Sequence, residues 1–202
     1  MKALNNFQEI IEKAQKLKNE EKFEEAIKLL QDLYQKNPNL EVIKKNLIDI
    51  LFSYGGYLND EYIFEHEKAI EIFKKIISLE PKNYKAYYNL GIAYFNLGQI
   101  ESALESYNAA IKIKPNYKSC YYNIGLLYEY KSDLKNALKY YNNALDIDPK
   151  FPYAIHSREF IRKKIDSERI EKTGTENTII CKNCGNENRL GAKFCDKCGN
   201  KL

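Results

Sequence analysis

The sequence predicts an all-α fold, a solenoid of stacked helix pairs followed by a small cysteine-bearing unit. Three observations carry this expectation. Apolar residues recur at helical spacing through most of the chain, a set of side chains returns at a 34-residue offset, and four of the five cysteines fall as two close pairs near the end. The composition agrees: 44% apolar residues supply a core, and 30% charged residues of both signs suit helices with wet outer faces. Only 9 Gly and 5 Pro among 202 residues speak against a sandwich or a disordered chain.

The repeat is clearest when YYNLG is laid on YYNIG. Asn89 then meets Asn123, Gly91 meets Gly125, Tyr94 meets Tyr128, Ala103 meets Ala137, Tyr107 meets Tyr141, Ala110 meets Ala144 and Pro115 meets Pro149. Within one unit Leu90, Ala93 and Tyr94 mark a first helix, and Ala103, Leu104, Tyr107, Ala110 and Ile111 a second. Gly98 breaks the pair, and Pro115 stops the second helix. Gly91 and Ala103 are small where two helices approach, beside the large Tyr94 and Tyr107.

This order of aromatic, Leu-Gly, Tyr, Ala, aromatic, Ala and Pro resembles the tetratricopeptide repeat, which implies a right-handed solenoid. The expected units are about 7–40, 41–83, 84–117 and 118–151, with a capping helix at 152–171. Ala26, Leu30 and Pro38 fit the first unit, with Ala14 in place of the glycine, and Ala69, Phe73 and Pro81 end the second. From Pro38 to Pro81 is 43 residues, 9 more than the period, with the excess around GGYLNDEYIFEH. The expectation is a second helix that starts early, capped by Asn59 or Asp60 and running through Tyr62, Ile63 and Phe64 to Leu79; a partner-contact loop is the alternative. His66 reads as a solvated side chain. The segment FPYAIHSREFIRKKIDSERIEK lacks the Leu-Gly pair and is expected to cap the stack with a polar outer face, its Arg162, Lys163, Lys164 and Arg169 interleaved with Glu159, Asp166, Glu168 and Glu171.

The resemblance implies a non-enzymatic interaction scaffold or adaptor that holds a protein or peptide segment in a concave groove lined by the first helix of each pair. Carried over position by position, the groove takes Lys45, Asn46, Asp49 and Phe52 from the second unit; Lys85, Tyr88, Asn89, Ile92 and Phe95 from the third; and Ser119, Tyr122, Asn123, Leu126 and Glu129 from the fourth. Asn46, Asn89 and Asn123 are equivalent. An amide both donates and accepts, so these three either grip a peptide backbone or stabilise their own repeats. Tyr88, Ile92, Phe95, Tyr122 and Leu126 form an apolar patch suited to a mixed or apolar ligand segment, unless they belong to the core. The two-Lys, two-Asn, one-Arg constellation that binds chaperone tails in some similar arrays is incomplete: Asp49 stands where Asn is needed, Ser119 replaces Lys and Asn123 replaces Arg.

Cys181 and Cys184 form one C-x2-C pair and Cys195 and Cys198 another, ten residues apart. Two such pairs can direct four thiolates at one tetrahedral zinc, with Gly185 and Gly199 turning the chain behind each. The span NENRLGAKF is expected to form a short hairpin with Leu190 and Phe194 as its apolar cover, folded by the metal. The stretch CGNENRLGAKFCDKCG resembles short zinc ribbons, so residues 181–202 are expected to be a ribbon holding one structural Zn2+, joined by a linker at 172–180. Cys120 reads as a packed thiol.

Four thiolates and one zinc dication lower the formal charge of +4 to +2, which gives no independent case for nucleic acid. Contact of the ribbon with RNA or DNA through Lys182, Arg189, Lys193, Lys197 and Lys201 is the rival expectation. Neither a signal peptide nor an apolar membrane span is apparent, so the expected place is the cytoplasm, where paired cysteines favour metal over disulfide. With two His far apart, no phosphate-binding glycine loop and no nucleophile motif, neither catalysis nor a small-molecule substrate is expected.

Overall fold

The computed structural model describes residues 2–60, 62–173, 178–189 and 192–202, apart from the side chains of residues 2–6, 168–173, 178, 187 and 189. Among these, eight helices form four consecutive pairs: α1 (Lys2–Asn19) with α2 (Phe23–Lys36), α3 (Glu41–Leu58) with α4 (His66–Leu79), α5 (Tyr84–Asn96) with α6 (Ile100–Ile113), and α7 (Lys118–Tyr130) with α8 (Leu134–Ile147). A ninth, α9 (Pro152–Thr173), stacks on α8. No described helix is long and apolar enough to cross a membrane.

Each second helix buries one stripe. In α6 that stripe is Ile100, Ala103, Ser106, Tyr107 and Ala110, a three-to-four-residue spacing that faces its partner and the next pair. The alanines let the helices close, and the rings of Phe73, Tyr107 and Tyr141 fill the centre of three successive pairs, each at most 1% exposed. Asn83 caps α5 by accepting from Ala86 N at 3.0 Å, and Asp133 caps α8 through Asn136 N at 3.1 Å.

The turn within each pair places one residue at positive φ, two positions before the second helix: Glu21 (58°), Phe64 (57°), Gly98 (71°) and Ser132 (58°). Only the third turn uses glycine, the residue that takes this conformation without steric cost.

The insertion departs from the sequence expectation. The second helix of the pair starts at His66, not at Tyr62, and neither Asn59 nor Asp60 caps it. The extra residues divide instead between the first helix and the turn. Gly55 faces the Phe73 ring as Gly91 faces Tyr107, yet Gly55 is 14 residues into α3 and Gly91 only 7 into α5. Seven added residues turn a helix by about 700°, close to two whole turns, so the buried face is kept. α3 ends three residues past Gly55 where α5 runs five past Gly91, so α3 is five residues longer than α5 and the connection to the second helix is four residues longer. His66 is buried, not solvated, at 7% exposure, because its Nδ1 meets Asn59 Oδ1 at 2.9 Å, and that oxygen also accepts from Asn96 Nδ2 at 3.2 Å.

The cap is less polar outside than expected. Ala154 and Ile161 of α9 are buried, while Tyr153 and Phe160 stand exposed among charged residues. Beyond α9, β1 (Thr178–Ile180) pairs antiparallel with β2 (Glu187–Arg189), Ile179 opposite Asn188. The hairpin therefore brackets the first cysteine pair and begins inside the expected linker, rather than lying between the two pairs. Linker residues 174–177 and the hairpin residue Leu190 lie outside the described residues.

Candidate functional site

The four cysteines converge. Their Sγ atoms all lie within 4.8 Å of one another, with Cys181 to Cys198 and Cys184 to Cys195 both at 3.6 Å. Zinc-sulfur bonds of about 2.3 Å in a tetrahedron set sulfurs about 3.8 Å apart, so the donor set fits a zinc ion.

Two superimposable turns build the cluster. In the first, Gly185 N donates to Cys181 O (2.9 Å) and Cys181 N to Asn186 O (2.8 Å); in the second, Gly199 N donates to Cys195 O (2.8 Å) and Cys195 N to Asn200 O (2.7 Å). Gly185 (φ 69°) and Gly199 (φ 73°) occupy the left-handed region that closes each turn. Burial pushes the Cys195 thiol up, but the N–H groups of Cys198 and Lys197 together with the Cys184 and Cys198 thiols bring it down to about 6. The Asn200 N–H likewise draws Cys198 down. Backbone donors aimed at sulfur favour the thiolates a metal requires.

Asn188 was not singled out in the sequence. It is 2% exposed, accepts from Asp196 N at 2.7 Å and donates to Asn186 O at 2.8 Å, so one amide ties the turn of the first pair to that of the second. The only sequence signal for it is an amide between the two pairs. Phe194, expected as apolar cover, is 60% exposed and covers little. Cys120 is buried at 0% exposure and its thiol is pushed up to about 12 by burial, which makes it inert.

The helical positions assigned to the groove are more bonded than the sequence suggests. Asn46 donates to Val42 O (2.8 Å) and accepts from Gln15 Nε2 (3.0 Å); Asn89 donates to Lys85 O (2.9 Å); Asn123 donates to the Tyr107 hydroxyl (3.3 Å). Each amide thus stabilises the array with at least one of its protons. Asp49 is ion-paired with Lys18 at 2.8 Å, while Lys45 and Lys85 are exposed.

The apolar positions form the half-buried rim of the core. Tyr88 packs on Tyr117 and Tyr107 with ring centroids at 5.1 and 5.9 Å, and burial pushes its phenol up to about 12. Tyr122 touches Tyr141, Phe151 and Tyr153, and Phe95 meets Tyr130 edge-on. Ile92 and Leu126 flank the same clusters. Between α1 and α3 an open hollow of 600 Å³ is lined by Ile11, Gln15, Val42 and Asn46 among others, so α1 extends the surface the sequence placed on later helices.

Comparison with known proteins agrees with both parts. Tetratricopeptide repeat models match residues 62–83, 84–117 and 119–151, and a zinc-ribbon domain model matches residues 180–202. No curated protein matches the chain. Among solved structures, MamA is similar at 25% identity over 78% of this chain and 88% of its own, with a TM-score of 0.59. The first repeat domain of Spaghetti (RPAP3), bound to an HSP90 peptide, shares the fold at 22% identity, 59% and 93% coverage and a TM-score of 0.54. YrrB, described as having an unusual peptide-binding site, does so at 18% identity, 78% and 96% coverage and a TM-score of 0.53.

Proposed function

With tetratricopeptide repeats across residues 62–151 and a zinc-ribbon domain at 180–202, we propose that this chain is a non-enzymatic adaptor whose concave helical surface holds a peptide or helix segment of a partner protein. The observation that carries the reading is the row of half-buried Tyr88, Ile92, Tyr122 and Leu126, with exposed Lys85 on the same helix as the first two. Aromatic and aliphatic groups with wet edges and a nearby cation suit a segment that is apolar on one side and acidic on the other. The peptide bound to one similar fold and the peptide-binding site named for another support this use of the surface. A chaperone tail is disfavoured, since Ser119 and Asn123 stand where such a site needs lysine and arginine.

One Zn2+ held by Cys181, Cys184, Cys195 and Cys198 would fold the ribbon. With four thiolates filling a tetrahedron it has no open position, so its role is structural. The thiolates need a reducing compartment, which the cytoplasm supplies.

The test is selection of binding sequences from a random peptide library on the full chain, followed by calorimetry with the selected peptide. Lys85→Ala and Ile92→Ser should each weaken binding about tenfold while circular dichroism is unchanged. A selected peptide indifferent to both would place the site elsewhere.

A further inference from the structure

Between α3 and α4, residues 62–64 expose Tyr62 (83%) and Phe64 (68%), with Ile63 between them at 36%. It is not a loose tip. Tyr62 N donates to Asp60 Oδ1 at 2.9 Å, Glu65 N closes onto Leu58 O at 3.1 Å, and the Asn59–His66 contact buries the base. Phe64 sits at φ 57° with its ring 5.9 Å from that of His66, a left-handed conformation that a bulky residue adopts at a cost. A held loop that shows rings to water is built for contact. The carboxylates of Asp60, Glu65 and Glu67 surround it, all on exposed residues.

The zinc ribbon carries the complementary surface. A hollow of 360 Å³ has Ile179, Ile180 and Leu202 as its apolar lining, and Lys182 and Lys201 line it as well. Ile180 is 62% exposed there. An apolar hollow with a basic edge matches an apolar tip with an acidic edge in both shape of polarity and sign of charge.

We propose that the ribbon hollow of one copy of this chain receives the Tyr62–Phe64 loop of a second copy. The loop follows α3 and the ribbon follows α9, with α4 to α8 between them in the chain, so each copy carries one loop and one ribbon to offer a second. Reciprocal exchange of ribbons gives a closed two-fold pair with two equal contacts, each reinforcing the other. This pairing rests on the loop and the ribbon and is independent of the peptide surface.

Sedimentation of the zinc-loaded full chain over a concentration series tests it. The unaltered protein should dimerise, and Glu65→Lys or Lys201→Glu should each weaken the dimer about tenfold or more. Mixing these two variants should restore dimers, because one contact is then unaltered and the other charge-swapped. Phe64→Gly should also lower dimerisation with helicity and metal content intact, which separates lost contact from lost fold. A protein that stays monomeric up to hundreds of micromolar, a dimer indifferent to the charge reversals, or variants that mixing fails to rescue would each overturn the proposal. So would a ribbon whose Lys182 and Lys201 bind a labelled oligonucleotide while the chain stays monomeric.

Discussion

A methyl group in place of a Gly91 hydrogen would lie 2.5 Å from Cε1 of Tyr107, and Gly125 stands in the same relation to Tyr141. Both rings are fully buried and have no room to withdraw. Gly91→Ala and Gly125→Ala should therefore each cost about 1–3 kcal/mol through overpacking, measured as a lower urea midpoint. An unchanged midpoint would mean that the ring shifts freely. α9 carries Glu159 where α7 has Gly125, so it lacks the small residue at which α8 closes on α7.

The turns give an opposite prediction. Ser132 occupies the left-handed position that Gly98 fills one unit earlier. Ser132→Gly should stabilise the array by about 1 kcal/mol, and Gly98→Ala should destabilise it by a similar amount. A scanning melt should show shifts of roughly 2–4 °C in opposite directions. Equal signs would show that the turn is not held in this conformation.

These two relations also show what was legible in the sequence. The repeat could be read because close crossings demand a small residue opposite a ring, and that demand returns every 34 residues at Gly91 and Gly125. The insertion could not be partitioned, because seven residues added ahead of Gly55 in α3 preserve its buried face and leave the apolar pattern unbroken. Phe64 gave no sign of its left-handed conformation, since turn preferences point to Gly or Asn there. In the ribbon the thiolates were legible from spacing alone. The exposure of Phe194 and the bonding of the groove asparagines were not, because both depend on which neighbours the fold supplies.

Alkaline pH should unfold the repeats. Burial raises the phenols of Tyr88, to about 12, and of Tyr107 and Tyr141 further, the last also bonded to Glu129 at 2.5 Å. A group whose pKa rises on folding contributes stability that is complete below its unfolded pKa, near 10 for tyrosine, and lost as pH climbs toward the folded value. Each such group removes about 1.4 kcal/mol per pH unit in that window. Tyrosinate absorbance and loss of helical dichroism should thus share a cooperative step between pH 10 and about 12. Complete ionisation at pH 10 with helicity intact would contradict the burial of these rings.

Chelation should act on the ribbon alone. The strands and turns of residues 178–202 surround the thiolates with almost no apolar core, and the helices draw nothing from them. Removing the metal should expose 178–202 to protease while dichroism at 222 nm stays within a few per cent. Loss of helix on chelation would mean that the ribbon supports the stack.

Asn188 offers the sharpest test of how the centre is assembled. Its Oδ1 takes the Asp196 N–H at 2.7 Å while its Nδ2 holds Asn186 O at 2.8 Å, so both halves of one amide are spent on joining turns that carry different cysteines. Asn188→Ala keeps all four thiolates but removes the acceptor of the Asp196 N–H and one of the donors to Asn186 O, and supporting groups of this kind change metal affinity by about 10–100-fold. Asn188→Asp preserves the acceptor and loses the donor, so its affinity should fall between the two. Competition with a chromophoric chelator reads the affinity directly, and cobalt substitution reports the ligand set. The cobalt-thiolate band should be retained in both variants, because the ligands remain and only their support is lost. An affinity equal to the unaltered protein's in Asn188→Ala would show that the two cysteine turns come together without the amide.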